Sequence, residues 1–413
     1  MTLLINRDKT FLEKCEGEAK VDKDVPAQLK QVHIVPQKLL LTPLRKFSIE
    51  DKLITTLAQK TKITKFLRLK SNEKIFALWA GYRSVIVECG NGELYKLKGV
   101  TVNLENPEII NELYIFDRDP DIFGAQYKYS AKYEQQMSGE FNKALKKEGI
   151  EPVMEFKGYW NYKLKVNDKP ISASVIKIKG DTRLDELMDT IEEILFQKIM
   201  LNTPNKSGQK ILQKVVTLYQ DLGFVVGRLK RLMNKNNQSW GPDAHRTNSH
   251  PGNVVLYADK DHLRLGFVDF DASCSRKVDK LNEQEIKRLQ NDDYYSIRSY
   301  VHKKQCSSRQ LASDKYDVLH WRDNNSYNNF LRDTFCEGFK KGHDDETFDQ
   351  KQFDNKIPLE QLMEINTVLK SGVSLLEKKS EFDLHGDSIG GFMDREYCKH
   401  ICRLHNEYLI THI

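Results

Sequence analysis

Short apolar runs bounded by turn residues follow one another through the first half of the chain, and each run predicts a β-strand. Three of them lie close together before residue 100, at 75–80, 85–89 and 93–98. The turn Gly90-Asn91-Gly92 precedes the third run, which favours antiparallel pairing. Three more runs follow, at 153–156, 159–166 and 173–178. This part of the chain therefore predicts an antiparallel sheet.

A helical pattern interrupts the strands once. Apolar residues at helical spacing predict a helix from about Ser130 to Lys147, closed by Gly149. A polar stretch rich in Asn, Asp and Pro, residues 103–120, separates this helix from the strands before it. The sheet therefore carries one helix and one irregular insert.

Helical periodicity prevails after residue 180. A helix is predicted to begin near residue 183, with Asp181 or Thr182 as its N-cap. Further helices are predicted at 208–233, at 359–377 and at the end of the chain through Leu409. Two apolar runs between them, at 254–257 and 263–268, predict a hairpin. Strands followed by helices indicate an α+β protein.

Basic residues cluster at two places along the chain. Residues 1–70 are polar and rich in lysine, and their predicted helix at 49–69 ends in a basic run. This extension could bind nucleic acid, or it could be a solvated helix packed on the first folded part. Arg228, Lys230 and Arg231 lie in the last turns of the 208–233 helix, where we expect them to be solvated.

Composition limits the class of protein without naming a partner. The chain has 413 residues, of which 39% are hydrophobic and 30% charged, with a net charge of +6. No apolar stretch approaches the roughly 18–20 residues that span a bilayer, and the N-terminus breaks too early for a secretory signal. We therefore expect a cytoplasmic protein with no membrane partner. The mild positive charge permits an anionic partner.

The cysteines predict reduced thiols. Their number, seven, is odd, and they are scattered along the chain. A single cluster near the end combines cysteine and histidine: Cys398, His400, Cys402 and His405. Zinc is conceivable there, but no CxxC pair or second ligand set accompanies the cluster, so an ordinary helix is the preferred explanation of the spacing.

The hairpin carries the most informative chemistry. Asn253 precedes its first strand, and Asp269 follows its second strand. If the strands pair, these two oxygen-bearing side chains meet at the base of the hairpin. Magnesium prefers such ligands and needs few of them when phosphate supplies the others. The pattern therefore predicts a magnesium site.

The segment His250-Pro251-Gly252-Asn253, followed by Asp269-Phe270-Asp271, resembles the catalytic loop and metal-binding segment of the protein-kinase-like superfamily. The match is closest to its aminoglycoside-phosphotransferase and UbiB/ABC1 branches. The resemblance implies a bilobal protein-kinase-like fold, in which an antiparallel-sheet N-lobe precedes an enlarged, mainly helical C-lobe. We divide the chain into the basic extension 1–70, the N-lobe 71–180 and the C-lobe 181–413. Asn253 and Asp269 would then hold Mg²⁺ ions that bridge the phosphates of ATP.

The same resemblance implies roles for residues of the N-lobe. The turn between the first two strands would cover the nucleotide phosphates, with Gly81, Arg83 and Ser84 as candidate contacts. The third strand would supply a phosphate-binding lysine, and the order Tyr95-Lys96-Leu97-Lys98 favours Lys98 over Lys96. Its partner would be a glutamate on the central helix, for which Glu134 is preferred to Glu140.

One position departs from the family pattern. The catalytic aspartate of the family lies five residues before the asparagine, and that position holds Asn248. A neutral amide cannot take a proton as a carboxylate does. Asp243 is the nearest carboxylate and a candidate base, whereas Asp271 could hold a second ion, act on the acceptor or simply belong to a turn.

The sequence as a whole predicts an ATP- and magnesium-dependent phosphotransferase that acts on a hydroxyl group. The acceptor could be a small molecule, a protein or RNA, and the basic and aromatic patches make RNA admissible. Two alternatives remain open: AMP transfer by an adenylyltransferase on the same fold, and a catalytically silent nucleotide-binding scaffold.

Overall fold

A computed structural model describes most of the chain between residues 76 and 344. The described residues are 4–5, 15–21, 23–24, 34–35, 76–79, 84–89, 93–100, 102, 109–110, 121–122, 124–180, 182–185, 187–188, 191, 206–241, 249–259, 262–316, 326–344 and 356–358. Several predictions fall on other residues: the helices at 49–69 and 359–377, the last helix, and the cluster of Cys398 to His405. None of the described helices is long and apolar enough to cross a membrane.

The first half of the fold is an antiparallel sheet. Its strands are β1 (Cys15–Val21), β2 (Phe76–Trp79), β3 (Ser84–Glu88), β4 (Leu94–Lys98), β5 (Met154–Val166) and β6 (Lys169–Ile178). They lie in the order β1-β5-β6-β4-β3-β2, and the short strand Gln126–Tyr127 pairs with β6. The predicted sheet is thus present, with two differences from the sequence analysis.

The first difference concerns β5. The predicted runs 153–156 and 159–166 form one strand, because a bulge between Phe156 and Gly158 lets the ladder continue across the glycine. Gly158 has a φ of 129°, which side chains other than glycine rarely adopt. The second difference concerns β1, which pairs with β5 although it lies within the 1–70 range assigned to an extension. The sheet therefore includes a strand from that range.

The helix α1 (Lys128–Lys147) packs against the sheet. Met137, Phe141 and Leu145 form its buried apolar stripe. Its end is a Schellman motif: the amide of Ile150 donates to the carbonyl of Leu145, and that of Gly149 donates to Lys146. Gly149 has a φ of 71°, so it closes the helix as predicted.

The second half is mainly helical in its described part, with one hairpin. Its helices are α2 (Lys206–Lys235), α3 (Glu283–Tyr316) and α4 (Ser326–Asp344). The predicted helix near residue 183 begins after a short strand, Thr182–Arg183, so Thr182 belongs to this strand. The hairpin consists of β7 (Val254–Asp259) and β8 (His262–Phe267), with Thr182–Arg183 and β9 (Lys356–Pro358) on its edges.

Glycines allow α2 and α4 to approach closely. A Cβ atom on Gly223 would lie 2.0 Å from the carbonyl oxygen of Phe335, and one on Gly227 would lie 2.1 Å from that of Phe339. Both partners advance by four residues in the same direction, so the two helices run parallel. Their backbones come into contact only because both positions lack a side chain.

An aromatic cluster joins α1, the end of β8 and Trp240. Phe267 stacks on Trp240 with 3.9 Å between ring centroids, and on Phe141 of α1 with 5.8 Å. The indole nitrogen of Trp240 donates to the carbonyl of Val268 at 3.3 Å, so the buried ring also satisfies its polar atom. This packing fixes the end of β8, from which Asp269 and Asp271 follow.

Candidate active site

Three distant segments of the chain meet at the ammonium group of Lys98. Its Nζ donates to Glu134 Oε2 at 3.0 Å, to Asp269 Oδ1 at 2.9 Å and to Asp271 Oδ2 at 3.0 Å. The lysine ends β4, the glutamate lies on α1, and the aspartates follow β8. An ammonium group has three protons, so each has a carboxylate acceptor. The sequence analysis preferred this lysine and this glutamate, and the structure pairs them.

Burial makes this cluster electrostatically strong. The side chains of Lys98 and Glu134 are each 1% exposed, so water screens their attraction very little. Burial raises the pKa of Glu134, the Lys98 ammonium opposes that rise, and the Asp271 and Asp269 carboxylates add to it. The second oxygen of Glu134 is buried without a hydrogen-bond partner among the described residues. Glu134 therefore depends on Lys98 for its charge compensation.

Lys96 adds a second cation on the same face of β4. Its Nζ lies 3.6 Å from Asp269 Oδ1, and its side chain is buried. Burial lowers the pKa of Lys96, and the charge of Asp269 opposes this effect. Two lysines thus face three carboxylates, and the charge of Arg183 acts on Lys96 as well.

The hairpin places Asn253 and Asp269 at one end. Val254 pairs with Phe267, and the amide of Val268 donates to the carbonyl of Asn253 at 3.0 Å. Asn253 ends a short 3₁₀ helix, Pro251–Asn253, and is buried. Asp269 has a φ of 62°, a left-handed conformation that aspartate tolerates better than most residues. The two predicted metal ligands therefore flank the base of the hairpin.

The residues at this base suit magnesium chemically. Asn253, Asp269 and Asp271 offer only oxygen ligands, which Mg²⁺ prefers. The side chains of Asp269 and Asp271 are 23% and 17% exposed, so an ion can reach them from solvent. An ion that took these carboxylates would also release two protons of Lys98 for phosphate oxygens. Among the described residues, no three side chains of His, Cys, Asp or Glu form a metal site by themselves.

A buried aspartate that the sequence analysis missed holds the chain before Asn253. Asp293 of α3 accepts hydrogen bonds from two backbone amides, those of Trp240 and Gly241. It also accepts from the hydroxyls of Ser239 and Ser249, the second of which lies four residues before Asn253. This carboxylate therefore fixes both ends of the connection 240–249.

Lys230 neutralises that aspartate. Its Nζ lies 2.8 Å from Asp293 Oδ2, and both side chains are fully buried. Burial lowers the pKa of Lys230, and Asp293 opposes that shift. The expectation that Lys230 is solvated was wrong. Its position four residues after buried Val226 and three before buried Met233 was the available signal, because it places the lysine on the apolar stripe.

Some of the other predicted residues are described by the structure, and the rest are not. Ser84 is buried and lies opposite Lys98 in the ladder of β3 and β4. Glu140 accepts a hydrogen bond from Ser275 Oγ at 3.0 Å, whereas Glu134 bonds Lys98. The remaining candidates lie outside the described residues: Gly81, Arg83, Asp243 and Asn248. The identity of the general base therefore stays a prediction.

Comparisons with known proteins give weak likenesses. No family model and no curated protein matches the chain. One similar solved structure is titled WaaP in complex with acyl carrier protein, with 12% identity, a TM-score of 0.30, and coverage of 71% of this chain and 86% of that one. The Toxoplasma gondii specific rhoptry antigen kinase domain has 8% identity, a TM-score of 0.33, and coverage of 72% and 82%. A glucosamine kinase has 10% identity, a TM-score of 0.31, and coverage of 84% and 92%. Likenesses at these scores carry no argument about the activity of this chain.

Proposed function

We propose that this protein is an ATP- and magnesium-dependent phosphotransferase with a bilobal, protein-kinase-like fold that acts on a hydroxyl acceptor. One observation supports this most strongly: the buried Lys98–Glu134 pair reaches both aspartates of the Asp269-Phe270-Asp271 segment. A strand lysine, a helix glutamate and an aspartate after a hairpin are the parts that position phosphates and metal in kinases.

Each residue has a defined task in this proposal. Asn253 and Asp269 would hold the magnesium ion, with Asp271 as a further carboxylate; the ion would neutralise charge on the phosphates. Lys98 would donate to phosphate oxygens once its aspartate partners turn to the metal. Glu134 would keep the ammonium in place, because their contact does not involve the aspartates.

The transfer itself needs an acceptor hydroxyl aligned with the phosphate, and a group to receive its proton. Asn248 cannot serve as that base, and Asp243 and Asp271 are the candidate carboxylates. A general base contributes roughly 10²- to 10⁴-fold to a rate. An enzyme without a well-placed base would therefore be slow rather than inactive.

The deciding experiment uses ATP labelled separately at the α- and γ-phosphates. The full-length protein is incubated with Mg²⁺ and each label, with hydroxyl-bearing small molecules, proteins and RNA as acceptors. Transfer of the γ label supports the phosphotransferase. Transfer of the α label would instead establish an adenylyltransferase. Nucleotide binding without transfer of either label would indicate a scaffold.

Two variants make the result specific to the site. Asp269→Asn removes a proposed metal ligand and should abolish transfer. Asp168→Asn is the matched control, because Asp168 lies in an exposed turn and has a similar left-handed φ of 59°. Equal losses in both variants would argue against the site.

A further inference from the structure

A basic cavity lies apart from the Lys98 cluster. It has a volume of about 890 Å³ and lies between the end of α1, the end of α2 and the segment 275–281. Six cationic side chains line it: Lys143, Lys146, Lys147, Arg276, Lys277 and Lys280. Glu140 is the single acidic residue of the lining. The cavity is therefore strongly positive.

Exposed acidic groups compensate part of this charge within the described part of the chain, and Glu283 lies near enough to Arg276 for their charges to interact. Lys146 contacts Glu155 at 3.5 Å, and Lys277 lies 3.9 Å from Glu140, both through exposed ammonium groups. Glu140 is already engaged by the hydroxyl of Ser275. Lysines in the last turn of α1 also suit the helix dipole, but this does not explain the cations that the segment 275–281 brings opposite them. Like charges gathered from two segments repel each other, and an anion would relieve that repulsion.

The backbone holds this arrangement in an unusual conformation. Lys280 has a φ of 56°, which a lysine rarely adopts, and Asn237 across the cavity has a φ of 53°. The amide of Arg276 donates to the carbonyl of Asn237 at 3.0 Å, which joins the two walls. The end of α2 and the segment 275–281 are therefore hydrogen-bonded to each other, and together they form the frame of the cavity.

Further bonds join this frame to α1. The hydroxyl of Tyr133 bonds the carboxylate of Asp279, which also accepts from the amide of Ser275 at 2.7 Å. The same hydroxyl oxygen lies 2.7 Å from the carbonyl oxygen of Ser273, so its single proton is shared between the carbonyl and the carboxylate. These hydrogen bonds between neutral and acidic groups therefore hold the lysines of α1 opposite those of the segment 275–281.

We propose that this cavity binds a small anion that carries several phosphate groups. Several phosphates match six cations better than one does, and the cavity volume suits a compact molecule rather than a long strand. Multiple charge-assisted hydrogen bonds from lysine and arginine would supply the affinity. This site is independent of the proposed transfer reaction, because none of the residues that line it belongs to the Lys98 cluster.

Calorimetric titration of the full-length protein with inorganic tripolyphosphate, at physiological ionic strength, tests the proposal. The test variant is Lys147→Ala with Lys280→Asn, in which asparagine removes the charge yet tolerates the left-handed backbone. The control variant is Lys163→Ala with Lys165→Ala, which removes two exposed lysines that do not line the cavity. We expect saturable binding to the wild type and the control, and about tenfold weaker binding to the test variant. Thermal unfolding verifies that both variants fold.

Two results would overturn the proposal. Wild-type protein that does not bind tripolyphosphate has no such site, and if a ten-nucleotide single-stranded RNA binds in that case, the basic surface is a nucleic-acid contact. Equal affinity of the test variant would mean that the anion binds elsewhere, including at Lys98. Inorganic monophosphate serves as the reference for charge, and we expect it to bind much more weakly.

Discussion

At the scale of single residues, the candidate site consists of charges that depend on one another. Lys98 has three carboxylate contacts, whereas Glu134 is buried and has one oxygen bonded to Lys98. The aspartates lie nearer to solvent, and in the proposed function they would exchange Lys98 for a metal ion. Glu134 is thus the partner that would hold the ammonium during a reaction, which makes it a positioning residue.

Replacing this glutamate tests that role. Glu134→Gln keeps the shape but removes the charge, and a hydrogen bond to a charged group contributes roughly 1.5–3 kcal/mol. We expect turnover with labelled ATP to fall about 10- to 100-fold, because Lys98 loses its fixed partner. Glu140→Gln, on the same helix, should stay within about twofold of the wild type. Equal effects of the two changes would contradict the assignment.

At the scale of secondary-structure elements, helix packing depends on a few positions where the backbones of two helices come into contact. Gly227 of α2 lies against the backbone of α4, whereas a methyl group on Gly139 of α1 would meet no atom of the described neighbouring elements within 4 Å. Glycine inside a helix is less favourable than alanine by about 0.5–1 kcal/mol when space is free. The same substitution therefore has opposite consequences at the two positions.

Gly139→Ala should raise the free energy of unfolding by about 0.5–1 kcal/mol, since only helix propensity changes. Gly227→Ala should lower it by about 1–3 kcal/mol or more, because its methyl group would meet a carbonyl oxygen. Urea unfolding of both variants measures the difference. A neutral Gly227→Ala would show that α2 and α4 do not approach as described.

The contact between these helices also predicts a pH dependence. Burial lowers the pKa of His343 and nearby Lys230 and Arg231 act in the same direction, while the bond to Asp344 opposes them. The neutral ring accepts from Asn234 Nδ2 at 2.9 Å through Nε2, a bond that protonation breaks. A lowered pKa means that the unfolded chain binds the proton more readily, so stability is lost as the pH falls below about 6.5.

We therefore expect the wild-type melting temperature to fall between pH 7.5 and pH 5.5 by about 2–4 °C more than that of His343→Gln. Glutamine can still accept from Asn234 but does not titrate. Tyr294, which packs against the ring of His343, is present in both proteins. If the melting temperatures of the two proteins fell by the same amount over this pH range, His343 would be excluded as the titrating group.

Features that depend on local sequence could be predicted, whereas features that depend on contacts between distant residues could not. Local patterns predicted β4, the closure of α1 by Gly149 and the placement of Asn253 and Asp269 at one hairpin base. β1 was missed because the uncharged positions of its alternating sequence, Cys-Glu-Gly-Glu-Ala-Lys-Val, hold mostly small residues with little hydrophobicity, and because its partner β5 lies more than 130 residues away. Asp293 was missed because a charge on a helix predicts a solvated position unless its distant donors are known.

At the scale of the whole molecule, Lys98 ties the sheet, α1 and the hairpin to one point. A ligand that binds there therefore stabilises contacts among all three. In the protein alone, the aspartates satisfy Lys98 directly, so phosphate must compete with them unless a metal ion draws them away. In the proposed function, this exchange would make nucleotide and magnesium binding depend on each other.

Thermal unfolding with nucleotide and metal measures this dependence. At about 100 times the dissociation constant, a ligand stabilises the folded state by about 2.7 kcal/mol, which raises the melting temperature by several degrees. We expect this rise with ATP and Mg²⁺ together, and a much smaller one with ATP and a chelator, because Lys98 then remains bound to its aspartates. Asp269→Asn should reduce the metal-dependent part, whereas Asp168→Asn should not. An equal rise with and without Mg²⁺ would show that the nucleotide does not use the hairpin carboxylates through a metal.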